Sequence, residues 1–137
     1  MPAKRADRFA WVAEPFAADP AHLERAMFGC RAHYLEGRLV LVRADRGAEP
    51  WRGLLVPTER SQHAVLIRDF PALRPHPVLG KWLYLPETSR DFEATALALG
   101  ECIRARDARL GVESEGGRGE RSPRAAVTRR GASGRRK

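Results

Sequence analysis

The sequence predicts a two-layer α+β domain: an antiparallel sheet of four or five strands with helices packed on one side, in the order α-β-β-β-α-β-α. Three observations predict it. Extended runs at residues 30–35, 38–44 and 51–56 follow one another with brief links, which implies antiparallel neighbours. Apolar residues recur at helical spacing in two later segments. A length of 137 residues with 43% apolar side chains suits one domain.

Residues 1–18 read as an irregular segment. Phe9, Trp11, Val12 and Phe16 are available to a core, but Pro15 argues against one long helix. Asp19-Pro20 reads as a helix start, with Asp as cap and Pro at the first helical position. The helix would run over 21–28, place Leu23 and Met27 on one face, and stop at Gly29. Strands follow at 30–35 and 38–44 around Glu36-Gly37. Glu suits a positive φ poorly, so a type I turn with a Gly bulge is expected there. Residues 45–50 form a loop, and a third strand at 51–56 ends at Pro57.

Thr58 is positioned to cap a helix over 59–70, whose Leu66, Ile67 and Phe70 share one face with His63. The stretch 71–77 holds three prolines and reads as irregular. Residues 80–85 alternate and carry aromatics, so they read as a strand closed by Pro86. Thr88 or Ser89 then caps the longest helix, about residues 90–110, with the stripe Phe92, Ala96, Leu99 and Ile103. Gly111 is expected just past its end.

Charge divides the chain. The net charge is +8, and residues 111–137 hold eight basic and three acidic groups, or +5, with no aromatic residue. Such a segment cannot bury enough apolar area to offset the entropy of ordering it. The organisation is therefore an irregular 1–18, an α+β domain at 19–110, and a disordered Arg-rich tail at 111–137. Arg129, Arg130, Arg135, Arg136 and Lys137 are the candidates for non-specific nucleic-acid contact, by neutralising phosphates and releasing counterions. The plainer alternative is a solvated end whose Arg bias reflects a GC-rich genome: 22 of 25 basic residues are Arg. No apolar run approaches a membrane span, and the apolar stretch 9–13 is too short for a secretory leader. A reduced cytoplasmic location is the expectation.

Motifs for chemistry are missing from the sequence. No phosphate-cradling Gly-rich loop and no Gly-x-Ser-x-Gly elbow occurs. Cys30 and His33 are near neighbours, but three positions apart on a strand they face opposite sides, which disfavours a dyad or a shared metal. His63 or His76 would have to join them in space. Cys102 reads as packed on the last helix. His76, in Arg74-Pro75-His76-Pro77, reads as part of a rigid exposed turn, and His22 as solvated. Paired carboxylates such as Asp91 and Glu93 have no arrangement that would separate their pKa values. No catalytic residue, cofactor or metal is assigned. Trp82 and Tyr84 share one strand face opposite Leu83 and Leu85. With helices on one side only, they form a possible interaction surface, for a protein, a second copy, or unpaired bases near Trp51, Arg52 and Lys81. The alternative cover is the N-terminal segment with Phe9, Trp11 and Phe16.

The run Arg25-Ala26-Met27-Phe28-Gly29, then Tyr34 and Gly37-Arg38, resembles the N-terminal domain of the TfoX family of competence regulators. In that family a short helix ends in an Arg-x-Met-Phe-Gly motif and a three-stranded meander follows. The resemblance covers about residues 20–110 and implies a small α+β domain like the secretion-chaperone folds. Here Cys30-Arg31-Ala32-His33 stands where the family has a Gly-rich segment, and the later helical domain is replaced by the basic tail. The resemblance implies a non-enzymatic, regulatory binding domain that acts by protein–protein contact or as a homodimer. Met27 and Phe28 read as core residues.

Overall fold

Residues 8–113 are described by a computed structural model of the chain. They form β1 (His22–Met27), β2 (Cys30–Leu35), β3 (Arg38–Asp45), β4 (Arg52–Val56), β5 (Arg74–Pro75), β6 (Leu83–Pro86) and β7 (Val112–Glu113). The helices are α1 (Glu14–Ala17), α2 (His63–Asp69) and α3 (Phe92–Arg104). The sheet is antiparallel with the order β1-β2-β3-β4-β6-β5, and β7 pairs with the start of β3. The α+β class and the antiparallel sheet are as expected; among the described residues the strands number seven rather than four or five.

The opening helix expected over 21–28 is instead strand β1, paired with β2 from His22–Leu35 to Met27–Cys30. Two residues explain the difference. Phe28 and Gly29 have φ of 56° and 75°, so they form a two-residue turn that closes a hairpin. Positive φ at both central positions is the type I′ geometry that matches strand twist. Asp19 caps only a single turn, its carboxylate accepting the Ala21 N–H at 2.8 Å. The Glu36-Gly37 turn has the same form, with φ of 53° and 82°, in place of the expected bulged turn.

Residues 8–17 are not irregular. A 3₁₀ turn at Ala10–Ala13 runs into α1, with Pro15 in the first turn where its missing N–H does no harm. Phe9, Val12 and Phe16 enter the main core with Leu41, Leu54, Leu83, Leu85, Leu66 and the α3 stripe Phe92, Ala96, Leu99 and Ile103. All three helices therefore contribute to one side of the sheet.

Three helix boundaries move. The 59–70 segment is a 3₁₀ turn at Arg60–Gln62 followed by α2. Thr58 does not cap it; its hydroxyl donates to the Arg109 carbonyl at 2.6 Å and pins the C-terminal end of the domain. Helix α3 ends at Arg104, and the residue just beyond the cap is Arg106, not Gly111. Arg106 takes φ of 62°, while the N–H groups of Arg106 and Asp107 donate to the Ile103 and Cys102 carbonyls. That pair of bonds is the Schellman closure, usually built on Gly. Gly111 leads into β7, so 111–113 belong to the domain rather than to a tail.

One glycine is dictated by packing. A Cβ on Gly53 would lie 2.1 Å from the Leu85 carbonyl oxygen, and its φ is 144°. Strands β4 and β6 approach at that point only because a side chain is missing. Among the described residues the main path of the sheet ends in the six-residue β1 and the two-residue β5 with its Pro75, while β7 lies off that path against β3.

Candidate functional site

The face of the sheet turned away from the helices carries a second cluster: Cys30, Ala32, Tyr34, Leu39, Val42, Ala44, Leu55 and Tyr84. Its middle is lined by small residues, with aromatics toward the sides. Strand alternation places Arg25 on this face beside Ala32, its cross-strand partner. Three guanidinium groups lie over three aromatic rings here. Arg25 stands 5.9 Å from the Tyr34 centroid, Arg46 stands 5.2 Å from Trp51, and Arg74 stands 6.0 Å from Tyr84. Arg74 follows from register, since it pairs directly with Tyr84. Arg46 extends β3 by one residue and Trp51 precedes β4, so those two meet across the connecting loop.

The two faces treat arginine differently. On the helix-covered face Arg8 reaches Asp45 and Glu87, Arg52 reaches Glu87, and Arg31 and Arg43 reach Glu24. On the opposite face Arg46 and Arg74 are exposed and rest on rings, with no carboxylate partner among the described residues. Cation–π contact orders a guanidinium without neutralising it. Phe28 in the hairpin turn is 52% exposed and lies 6.4 Å from Trp51, so two ring systems meet beside Arg46. Phe28 is therefore a surface residue and not the core residue expected. Beside Arg74 an open cleft of about 420 Å³ is walled by Pro50, Pro75, Pro77 and Tyr84, with Glu49 at its side.

Tyr84 and His76 hold this face in shape. The Tyr84 hydroxyl donates to the Glu49 carboxylate at 2.7 Å and accepts the Arg52 N–H at 3.0 Å. Burial and the Glu49 bond push its pKa upward. Its ring is only 1% exposed, so Tyr84 is not the open surface expected of it. Trp82 precedes β6, half-buried against the same cluster, and also borders a cleft with Lys81, Arg38 and Val112. The N-terminal segment covers the Leu83 and Leu85 face instead. His76 is buried rather than in an exposed turn. The Val78 and Leu79 N–H groups donate to its Nδ1, so Nε2 carries the proton and donates to the Pro50 carbonyl at 2.9 Å. Its ring sits 4.7 Å from Trp51 and 5.3 Å from Tyr84.

A polar chain crosses β1, β2 and β3 on the helix side. Arg43 Nε donates to His33 Nε2 at 2.7 Å. Arg can only donate, so neutral His33 holds its proton on Nδ1 and donates it to His22 Nε2 at 2.9 Å. Burial, then the Arg43 charge, press the His33 pKa down to about 4. Burial raises the Glu24 carboxyl, but the bond from Arg31 and the charges of Arg31 and Arg43 outweigh it and hold Glu24 below its usual range. His22 is thus a half-buried strand residue and not a solvated helical one.

Cys30 and His33 lie on opposite faces, as strand alternation requires. The Cys30 thiol is 3.7 Å from the Phe28 carbonyl, and burial pushes its pKa up. Cys102 is half-buried on α3, and burial raises it too. Among the described residues no group of three or more His, Cys, Asp or Glu side chains is arranged to hold a metal. No helix among them is long and apolar enough to cross a membrane. Arg129, Arg130, Arg135, Arg136 and Lys137 lie outside the described residues. Comparison with known proteins finds no family model that matches the chain, and no characterised protein or solved structure that matches it.

Proposed function

We propose that the chain is a small non-enzymatic binding domain that acts by contact of its arginine-topped sheet face with a macromolecular partner. The observation that carries this reading is the unneutralised pair Arg46 and Arg74, each laid on an aromatic ring and exposed. Exposed cations held over rings, without a carboxylate partner among the described residues, serve recognition better than stability, since exposed charges contribute little to folding. The state of the reactive groups supports the non-catalytic part. The thiols are raised away from thiolate, and His33 and His76 are committed to hydrogen bonds inside the fold.

The TfoX-like segment adds a family-level proposal of regulatory binding by protein–protein contact, self-association or both, within the cytoplasm. Its support is the segment Arg25–Gly29, which here forms the end of β1 and a hairpin turn rather than the close of a helix. The following order of three strands, helix, two strands and helix also supports it. The Arg-rich tail stands as an auxiliary contact with polyanions, supported by eight basic against two acidic residues over 114–137.

Differential retention tests the reading. The full chain and its Arg46→Glu/Arg74→Glu variant are immobilised, and extract with or without nuclease treatment is passed over both, with light scattering to register self-association. A ligand or dimer held by the first and lost by the second is the expected result. Identical retention and identical mass for the two would refute it.

A further inference from the structure

We infer that the partner of this face is single-stranded nucleic acid, its backbone held by Arg25, Arg46 and Arg74 and its bases stacked on Phe28 and against the exposed guanidinium groups of Arg46 and Arg74. This rests on the binding-domain reading above and names its ligand class. Several features of the face converge on it.

Arg46 and Arg74 lack, among the described residues, the carboxylate partners that Arg8, Arg31 and Arg52 have on the opposite face. Arg46 and Arg74 have rings as partners, so their charge remains available to phosphate. Each guanidinium already lies against a ring. It is ordered before binding, and the entropy cost of fixing a long side chain is reduced. Its exposed side then presents a cation to a base or phosphate. The exposed Phe28 ring supplies the apolar half of the contact: it is 52% exposed and lies 6.4 Å from the half-buried Trp51. Bases stack on such platforms with little regard to sequence, each worth about 1–3 kcal/mol.

The spacing also fits a strand of nucleotides. Arg25 and Arg74 sit on the two outer strands, and Arg46 lies at the end of central β3. Five strand spacings separate the edges, about 24 Å along a flat sheet. The cleft beside Arg74 has a volume of about 420 Å³ between proline walls, room for one base out of its stack. A duplex cannot use this surface in the same way, because its bases are already stacked on each other and its grooves are read by inserted elements. An acidic peptide would satisfy the cations but leave the exposed Phe28 ring without a flat partner.

Fluorescence anisotropy of the full chain with a labelled single strand of about 16 nucleotides, and with its duplex, tests the assignment. The single strand is expected to bind more tightly than the duplex. Arg46→Glu/Arg74→Glu should lose at least about tenfold more affinity than Arg68→Glu/Arg104→Glu, a control of equal charge change on exposed, ion-paired positions. Phe28→Asn suits the left-handed turn and removes only the ring; a loss of about fivefold is expected, one stacked base at the low end of its range. Equal loss in the two double variants, or equal affinity for duplex, would overturn the inference. Polyglutamate separates the two levels. If it alone binds, and the Arg46/Arg74 variant abolishes that binding, the nucleic-acid assignment falls while the binding-domain reading stands. If neither ligand responds to Arg46/Arg74, both fall.

Discussion

Glu36 and Arg106, 70 positions apart, both adopt left-handed backbone, and the Arg106 guanidinium donates to the Glu36 carboxylate at 2.9 Å. The same guanidinium reaches Asp19 at 3.0 Å. One side chain thus clasps the β2–β3 turn, the close of α3 and the entry to β1. It accounts for a glutamate at a position where glycine or asparagine would be cheaper.

If that clasp compensates for backbone strain, the two positions are energetically coupled. In an Arg106→Ala background, Glu36→Asn should raise stability by about 1 kcal/mol, the usual left-handed penalty of a non-glycine residue. In the parent chain the gain should be smaller, because the substitution also removes an exposed ion pair worth under about 1 kcal/mol. A double-mutant cycle by urea unfolding measures the difference. Equal gains in both backgrounds would show the clasp to be incidental.

Gly53→Ala should be severely destabilising. A methyl group there meets the Leu85 carbonyl at 2.1 Å, backbone that has no rotamer to give way. A loss of about 3 kcal/mol or more is expected, and thermal melting by circular dichroism will report it. A neutral result would mean that β4 and β6 are not in this register.

The His33 imidazole makes stability fall in acid. Its pKa is about 4 in the fold against an ordinary 6.5, so the unfolded chain takes up the proton first. The contribution is complete above pH 6.5 and is lost as pH drops from there through 4. The loss from this group is about 3 kcal/mol. His33→Gln keeps an acceptor for Arg43 but cannot titrate, and it should flatten that part of the profile in denaturant unfolding followed across pH. An unchanged slope would remove His33 as the cause.

Phe16→Ala should cost about 3–5 kcal/mol, the range for emptying a large core site. Phe16 is 1% exposed and sets its edge against His22 and His33. A small effect in chemical denaturation would return the N-terminal segment to the irregular state its composition suggests.

Neither thiol should behave as a nucleophile. Burial raises both Cys30 and Cys102, so labelling by a thiol-specific disulfide reagent near pH 7.5 should be slow in the native chain and fast after denaturation. Rapid native labelling of Cys30 would reopen a chemical role for it.

The later half of the fold was largely legible in the sequence. The α3 stripe, the β2–β4 meander and the opposed faces of Cys30 and His33 follow from periodicity alone. The start was not. His-Leu-Glu-Arg-Ala-Met has good helix formers, and Asp19-Pro20 ahead of it imitates a helix start. What decides the matter is the two-residue turn Phe28-Gly29, where an aromatic residue adopts a positive φ that no propensity foretells. Given that turn, the pairing of Met27 with Cys30 sets Glu24 opposite His33 and brings Arg25 within reach of Tyr34. The arginine–aromatic pairs stayed hidden for this reason: Arg25, Arg46 and Arg74 meet their rings through register and loop geometry, not through nearness along the chain.

The unequal borders of the sheet bear on where a strand can be added. At β5 only two residues lie along the margin, and Pro75 has no N–H to offer. At β1 six residues are open among the described residues, with Leu23 outward. Among the described residues an added strand would therefore find more unpaired backbone along β1 than along β5.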